Sequence, residues 1–363
     1  MLVDRRAFLS STAGGACLGL LGSARPAAAA DWVAIEAAAR KERTLTINML
    51  GGVDAEQFVA KISAKFPWMS VRFSGLVPSK LAPQVLVEQK NNVFAWDVHV
   101  GPTANMVRVL GPAGALEPIM PFIGDLEEGS IQPSKWAGGL LQFTDDVRKN
   151  SLVIYYRFGG GIFVNRRRAP SSKVSNPKDL LSPDLKGRIV IYDPTALNGA
   201  SMTLAVAYKQ HGEEFIRKLL LEQQPVITNN PRDTGEWVSQ GRYPVAFYML
   251  EDDIKQLGEQ GLLKDVEVLA NSRYVLTYGV SVFKNPPSPN VIKVFLNWFL
   301  NKEGQDAYSS ISSLGGTRRT DVKVYTPHEI ADPTKLSEYE YIGGVATGQE
   351  SVNKVIEIAR SRT

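Results

Sequence analysis

The sequence predicts an α/β protein of two lobes, each a mostly parallel sheet flanked by helices, joined by strands that cross between the lobes. Strand-like and helix-like patterns alternate along the chain, which is typical of parallel sheets covered on both faces. Of the 363 residues, 333 remain once a 30-residue leader is removed. That length exceeds the size at which one hydrophobic core usually stops growing. Three glycines, residues 159–161, interrupt a long apolar strand pattern and indicate a crossing point.

The N-terminal segment 1–30 has the pattern of an export signal. Residues 4–9 (DRRAFL) resemble the twin-arginine signal, in which two arginines precede Phe and Leu. The apolar stretch 13–22 contains four glycines and is too short to span a bilayer, which needs about 20 residues. Four alanines, residues 27–30, supply the small residues of a cleavage site. We therefore expect cleavage near Ala30 and a periplasmic mature protein.

Composition excludes several classes of function. The formal charge of +4 becomes +2 when Asp4 and the arginines at 5, 6 and 25 are removed with the leader. Such a balanced charge does not indicate binding to nucleic acid or to an anionic membrane. Cys17 is the only cysteine and lies within the leader, so the mature chain has no disulfide and no thiolate metal site. No cofactor is expected, and we expect a monomer.

The first lobe is predicted from alternating elements up to residue 100. The pattern indicates helices at 32–41, 58–66 and 81–89, and strands at 45–50, 70–73 and 95–100. In parallel sheets, ligands bind at the carboxyl ends of the strands. The residues that follow these strands are therefore candidates for ligand contact: Gly52, Ser74, Gly75 and Thr103.

The second lobe is predicted from residue 158 onward. Strands are expected at 187–194, 224–229, 245–248 and 274–283, and helices after Gly199 and at 233–240, 252–260, 291–300 and 351–361. We expect hinge strands near 154–163 and 274–283. Lobe 1 then comprises 31–157 and 281–320, and lobe 2 comprises 158–280 and 321–363. The alternative for the three glycines is a bulge or tight turn within one lobe.

Four segments resemble a known family. They are 37–46 (AAARKERTLT), 96–98 (WDV), 179–189 (DLLSPDLKGRI) and 294–305 (VFLNWFLNKEGQ). In this order they are similar to bacterial extracellular solute-binding proteins of ABC importers, the group that includes ferric-ion, thiamine, polyamine and aminoethylphosphonate binders. The resemblance covers nearly the whole mature chain. It implies the type II periplasmic-binding-protein fold, which closes around a small molecule and presents it to a membrane permease.

Two loops of the second lobe carry the remaining candidates. A helix begins at Asn198, Gly199, Ala200 and Ser201, where free N–H groups and the helix dipole favour an anion. The alternative is an ordinary N-cap. Arg232 and Thr234 form a second candidate loop, although a loop arginine is more often a solvated charge. The resemblance places Tyr248 at the position of one of the two adjacent tyrosines that ferric-ion binders of this family carry. Tyr278 lies on the second crossing strand.

These patterns favour a binding protein that captures a small organic anion, such as a carboxylate, phosphonate or sulfonate, and performs no chemistry on it. A ferric-ion or polyamine binder of the same fold is the alternative ligand class. A polyamine would require several convergent carboxylates, and Asp97, Glu251 and Asp252 leave it possible. Residue 249, next to Tyr248, is a methionine, so the tyrosine pair of the ferric-ion binders is missing here. Tyr155 and Tyr156 do not replace it unless the strand is distorted, because successive strand residues face opposite sides. His99, His211 and His328 lie in different elements and are expected to be packing or surface residues. A periplasmic enzyme or a sensor domain is the alternative class.

Overall fold

The computed structural model describes residues 27–49, 53–123, 131–144, 148–311, 315–325, 329–336, 342–343 and 349–362. The twin-arginine segment, Gly52 and His328 lie outside these residues. The helices are α1 (Ala27–Glu42), α2 (Val53–Lys65), α3 (Pro78–Lys90), α4 (Met120–Ile123), α5 (Gly199–Arg217), α6 (Pro231–Ser239), α7 (Glu251–Glu259), α8 (Pro289–Phe299), α9 (Lys302–Ser309) and α10 (Gln349–Arg360). The strands are β1 (Thr44–Met49), β2 (Ser70–Ser74), β3 (Val98–Pro102), β4 (Leu116–Glu117), β5 (Ser151–Gly159), β6 (Ile162–Asn165), β7 (Ile189–Tyr192), β8 (Val226–Thr228), β9 (Val245–Phe247), β10 (Val266–Val268), β11 (Tyr274–Phe283) and β12 (Ile342–Gly343).

The described strands form two separate sheets. The first has seven strands, in the order β12-β11-β3-β1-β2, with β4 and β5 also paired to β11. The second has five strands, in the order β10-β6-β9-β7-β8. Two sheets with helices packed against them confirm the predicted α/β fold.

Both sheets combine parallel and antiparallel strand pairs. Strand β1 runs parallel to β2 and β3, and β7 runs parallel to β8 and β9, as the alternating patterns predicted. Strand β11 runs antiparallel to β3, β4 and β5, and β6 runs antiparallel to β9 and β10. Strands β5 and β6 belong to different sheets and are joined by Gly160 and Gly161 alone.

The first sheet is covered by a core of helices α1, α2, α8 and α9. Helix α8 contributes an apolar face that includes Phe295, Trp298 and Phe299, all buried against the sheet. The carboxylate of Glu42, at the end of α1, accepts hydrogen bonds from the backbone N–H groups of Asn290 and Val291, both at 2.9 Å. Glu42 therefore caps the start of α8 and fixes the two helices to each other.

The second sheet is covered on one side by α5 and α10. Buried residues of α10, Val352, Val355 and Ile358, join the same core as α5. A smaller core on the other side includes Val238 of α6 and Met249, which precedes α7. The segment before α10 contacts the first sheet instead, because β12 pairs with β11 and the N–H of Ala331 donates to the carbonyl of Tyr156 at 2.8 Å. The residue boundaries of the two lobes stay a prediction.

Strands β5 and β6 connect the sheets through the glycines at 159–161. Strand β5 lies in the first sheet and β6 in the second, so the chain changes sheet at these glycines. Gly160 and Gly161 have φ values of 55° and 124°, which side chains other than glycine rarely adopt. The ring of Tyr274 packs directly on Gly159 and Gly160, where a Cβ would lie 2.5 Å and 2.3 Å from ring carbons. Both the conformation and the packing therefore require glycine at the joint.

Candidate functional site

The carboxyl ends of the parallel strands in the two sheets meet at the glycine joint. Strand β5 is antiparallel to β11, which is antiparallel to β3, so β5 ends at the same edge as β1, β2 and β3. Strand β6 begins opposite the end of β9, because Ile162 pairs with Phe247. Since β5 leads into β6 through only two residues, Gly160 and Gly161, the two carboxyl edges face each other across this joint. This is the candidate ligand site.

The first edge brings together the predicted residues at the ends of β2 and β3. Asn48 pairs with Ser74 on one side and with His99 on the other. The Asn48 side-chain amide donates to the carbonyls of Ser74, at 3.1 Å, and Leu76, at 3.0 Å. The loop that contains Gly75 is therefore fixed to β1. Gly52, the predicted contribution of β1, lies beyond the described part of this strand.

His99 is buried and holds the same edge from inside. Asn48 uses its N–H groups for two carbonyls, so its oxygen accepts from Nδ1 of His99, at 2.7 Å. Nε2 of His99 lies 3.2 Å from the carbonyl oxygen of Pro102. Burial lowers the pKa of His99 to about 4, although the Pro102 carbonyl acts in the opposite direction. His99 is thus the local packing residue that the sequence predicted.

Thr103 and Tyr278 are less accessible than the sequence suggested. Thr103 is fully buried, and its hydroxyl is bonded to the hydroxyl of Thr277 and, at 3.2 Å, to the Thr277 carbonyl. Tyr278 is buried and stacks on Tyr155, with ring centroids 4.7 Å apart. Both residues lie at the predicted edge, because Tyr278 pairs with Pro102. Contact between these two side chains and a ligand stays a prediction.

The second edge is formed by the ends of β7, β8 and β9. Tyr192 pairs with Thr228, and Ile191 pairs with Phe247, so these parallel strands end side by side. The residues that follow them, Asp193 and Tyr248, therefore lie at the same edge as the start of α5.

The start of α5 has the capping geometry of an ordinary helix. The Asn198 side-chain oxygen accepts from the N–H groups of Ala200, at 2.9 Å, and Ser201, at 3.1 Å. The Ser201 hydroxyl accepts from the Asn198 N–H at 2.9 Å, which completes a capping box. The Asn198 amide also donates to the Asp193 carbonyl at 2.7 Å. The cap satisfies two of the N–H groups that the sequence assigned to a ligand, while the helix dipole remains.

Tyr248 packs directly on Gly199, a contact that spacing along the chain could not predict. A Cβ at Gly199 would lie 2.1 Å from a ring carbon of Tyr248. Tyr248 itself has a φ of 68°, which is uncommon for a bulky residue and frequent at functional sites. The centroid of the Tyr248 ring lies 6.3 Å from the centroid of the Tyr192 ring. Two tyrosines and the start of α5 therefore share one part of the edge.

The fit between Gly199 and Tyr248 gives a first prediction. We expect Gly199→Ala to lower the free energy of unfolding by about 1–3 kcal/mol, because the new methyl group must displace a buried ring. Gly258→Ala is the matched control, since Gly258 lies in α7 and a Cβ there meets no atom within 4 Å. This control should gain about 0.5–1 kcal/mol. Urea unfolding of both variants tests the contact, and equal stabilities would contradict it.

Thr203 connects the joint to the second edge. Its hydroxyl accepts from the N–H of Gly161 at 3.2 Å and donates to the carbonyl of Gly199 at 2.8 Å. The carbonyl of Gly161 in turn accepts from the N–H of Tyr248 at 2.9 Å. A continuous set of hydrogen bonds therefore joins the glycine joint, the start of α5 and Tyr248.

The second predicted loop contributes less than expected. Thr234 is buried, and its hydroxyl donates to the carbonyl of Pro231 at 2.7 Å, within the first turn of α6. Arg232 is exposed at the start of α6, which follows the carboxyl end of β8. The backbone places both residues at the correct edge, but the Thr234 hydroxyl is engaged within its own helix.

Three other sequence-based interpretations have clear outcomes. Tyr155 faces the core of the first sheet, whereas Tyr156 faces the opposite side and donates to Gln142 at 3.0 Å, so the two do not form a pair. Asp97, considered for a polyamine, precedes β3 and therefore lies at the opposite edge from the candidate site. His211 packs against Phe215, with ring centroids 5.1 Å apart.

Two features are absent from the described residues: a metal-binding cluster of side chains and a helix that could span a membrane. Within the ranges given above, no group of three or more His, Cys, Asp or Glu side chains is arranged to hold a metal ion. None of the described helices is both long and apolar enough to cross a membrane.

Two sheets whose carboxyl edges face each other across a short joint are typical of two-lobed proteins that bind a ligand between their lobes. A family model for bacterial extracellular solute-binding proteins matches residues 132–310, from before β5 to the end of α9. A protein of unknown function from Haemophilus influenzae is 26% identical over 262 residues, which cover 70% of this chain and 71% of the relative. The family-model match confirms, over residues 132–310, the resemblance seen in the sequence to bacterial extracellular solute-binding proteins.

Solved structures share the fold. AfuA from Actinobacillus pleuropneumoniae, a periplasmic binding protein with fructose-6-phosphate bound, has 21% identity and a TM-score of 0.60, covering 87% of this chain and 98% of AfuA. Iron-bound HitA from Pseudomonas aeruginosa has 18% identity and a TM-score of 0.60, covering 88% and 99%. IdiA (FutA) from Trichodesmium, with iron and citrate, has 16% identity and a TM-score of 0.62, covering 87% and 99%. At these identities the likeness shows the two-lobed type II fold alone.

Proposed function

We propose that this chain captures a small organic anion between the two carboxyl edges in the periplasm and delivers it to an ABC permease. The twin-arginine segment supports export, with cleavage near Ala30. The mature protein acts as a monomer and releases its ligand chemically unchanged. Binding is the whole mechanism, because a ligand that contacts both edges stabilises the closed arrangement of the lobes.

The observation that carries this proposal is the set of hydrogen bonds through Thr203. These bonds join the glycine joint to the start of α5 and to Tyr248, so a change in the joint is transmitted to the second edge. Only a few residues in the joint need to change their φ and ψ angles for the lobes to close. The positive end of the α5 dipole at Gly199 favours a ligand with negative charge.

Ferric-ion binding is the second candidate. The rings of Tyr192 and Tyr248 lie 6.3 Å apart at one edge, and phenolate oxygens are suitable ligands for a hard cation. HitA and the Trichodesmium protein have iron bound in their solved structures. A polyamine is a weaker candidate, because Asp97 lies at the far edge of the first sheet.

Native mass spectrometry of the purified protein tests the proposed function. We expect a co-purified carboxylate, phosphate, phosphonate or sulfonate, which should also raise the melting temperature and reduce the radius of gyration. At 100 times its dissociation constant, such a ligand adds about 2.7 kcal/mol to the free energy of unfolding. A visible tyrosinate-to-iron absorption band after ferric loading would instead support the second candidate.

Two outcomes would contradict the proposal. One is a melting temperature and a scattering profile that no solute changes, together with turnover of some substrate, which would indicate an enzyme. The other is capture of a receptor rather than a permease from the membrane, which would indicate a sensor domain. Co-purification with detergent-solubilised membranes distinguishes the two partners.

A further inference from the structure

A cluster of aromatic residues and one arginine lies where the crossing strands reach the joint. Tyr155 and Tyr278 are paired neighbours on β5 and β11 and stack on one face of the sheet. The hydroxyls of Tyr155 and Tyr308 share a hydrogen bond, and burial raises the pKa of both above the ordinary range. The charge of the Arg157 guanidinium acts in the opposite direction on both pKa values.

Arg157 is a buried charge at the candidate site. It lies on β5, two residues before Gly159, and only 7% of its side chain is exposed. Alternate residues of a strand face the same side, so Arg157 and Tyr155 share a face. The partner of Arg157 in the first sheet, Leu276, packs against the cores of both sheets. A positive charge is therefore held at the point where the two sheets meet.

The negative charge opposite Arg157 comes from a separate segment. Nη2 of Arg157 donates to the carboxylate of Glu329, whose side chain remains 25% exposed. The backbone that follows Glu329 is fixed to β5. Ile330 forms an isolated β-bridge with Arg157, and the N–H of Ala331 donates to the Tyr156 carbonyl. Glu329 thus lies between the buried guanidinium and solvent.

A neighbouring buried arginine is held differently. Arg318 donates to four backbone carbonyls, those of residues 137, 139, 140 and 153, at 2.6–3.0 Å. Backbone carbonyls cannot be exchanged for a ligand without unfolding the segments that carry them. A side-chain carboxylate that reaches solvent can rotate away, and an incoming anion can replace it.

We propose that Arg157 binds the anionic group of the ligand and that the Glu329 carboxylate occupies this position until the ligand displaces it. This inference rests on the proposed function and deepens it by naming the side chain that receives the carboxylate, phosphate, phosphonate or sulfonate group of the ligand. Displacement exchanges one anion for another, so the buried guanidinium keeps a partner throughout. A neutral or cationic solute offers no such exchange and leaves the ion pair intact.

Inorganic phosphate is the probe for this inference, used at constant ionic strength with the full mature chain. Removing the internal carboxylate charge by Glu329→Gln should lower the dissociation constant for phosphate by about tenfold relative to the unaltered protein. Arg157→Gln should abolish phosphate binding. Glu267→Gln is the matched control, because Glu267 pairs with Arg166 on the surface and is 60% exposed. This control should leave phosphate affinity unchanged.

Isothermal titration calorimetry measures the affinities, and urea unfolding shows that each variant is folded. If Arg157→Gln does not fold, Arg157→Lys replaces it, and phosphate should bind it more weakly than it binds the unaltered protein. Equal phosphate affinity in the unaltered protein and Glu329→Gln overturns the inference, as does the absence of phosphate binding in both. Undiminished phosphate binding by the folded Arg157 variant overturns it as well.

These outcomes differ from a failure of the proposed function. If the Arg157 variant still binds the co-purified ligand and still becomes more compact, the protein remains a solute binder and only the role of Arg157 is lost. If no solute changes the scattering profile of the unaltered protein, the proposed function itself fails, whatever phosphate does at Arg157.

Discussion

Replacing Arg319 by methionine is expected to lower the free energy of unfolding by about 2–4 kcal/mol, because it removes the donor that two backbone carbonyls share with the partly exposed Asp321 carboxylate. The Arg319 side chain has no exposed surface, and its Nε and Nη2 donate to the Asp321 carboxylate at 2.9 Å each. Its Nη1 donates to the carbonyls of Ile131, at 2.5 Å, and Leu300, at 3.2 Å. Methionine has a similar volume but leaves both carbonyls without this donor.

Lys302→Met is the matched control for this substitution. Lys302 pairs with Asp306 one turn along α9, and the two side chains are 55% and 42% exposed. Because exposed pairs contribute little, this variant should change the free energy of unfolding by less than about 1 kcal/mol. Urea unfolding monitored by tryptophan fluorescence measures both variants. Similar losses in the two would mean that the Arg319 network does not stabilise the fold.

The two adjacent arginines explain how the segment after α9 is fixed. Arg318 binds carbonyls of the 137–140 loop and of β5, while Arg319 binds the carbonyl of Ile131 and the end of α8. Nothing in the spacing of these two arginines distinguishes them from the basic run at 166–168, in which Arg167 and Arg168 are exposed. Their role depends on carbonyls that lie far away in the chain, so it was not predictable from the sequence.

Long, strongly patterned elements were predictable. The strand expected at 274–283 is observed at the same residues, because seven of its ten residues are β-branched or aromatic and no helical period competes. The strand expected at 95–100 lies at Val98–Pro102 instead. The short strands β4, β10 and β12 were not predicted, since two or three residues carry no periodicity and depend on pairing with β6 or β11.

The candidate site was predictable only in outline. An Asn-Gly-x-Ser sequence marks a helix start, and the ends of parallel strands mark an edge, so the positions of Ser74 and Asn198 followed from local rules. The packing of Tyr248 on Gly199 and the pairing of Arg157 with Glu329 are contacts between distant segments, the latter 172 residues apart. Such contacts are set by tertiary structure, which local patterns do not encode.

Buried His99, in β3, and buried Asp97, just before β3, should give opposite responses to acid. Burial lowers the pKa of His99 from 6.5 to about 4, so its neutral form contributes stability that is complete above pH 6.5 and is lost as the pH falls toward 4. Burial raises the pKa of Asp97 from 3.8 to about 6, with a further raising effect from Glu42. Its protonated form contributes stability that is complete below pH 3.8 and is lost as the pH rises through 6.

Each shift corresponds to about 3 kcal/mol at 1.36 kcal/mol per pKa unit, so the two responses nearly cancel between pH 4 and 6.5 in the unaltered protein. Removing one residue should reveal the other. The stability of His99→Gln should rise relative to the unaltered protein as the pH falls from 6.5 to 4, because only the Asp97 response remains. The stability of Asp97→Asn should fall over the same interval, because only the His99 response remains.

Urea unfolding at half-unit pH steps measures these slopes, and the slope is independent of any constant loss that each substitution causes. That separation matters for Asp97, whose carboxylate accepts the N–H groups of Thr46, at 2.7 Å, and Ser288, at 2.9 Å, so its replacement also weakens the link between β1, β3 and α8. The double variant should return to a flat profile. Parallel profiles for the two single variants would show that these residues do not titrate as their burial requires.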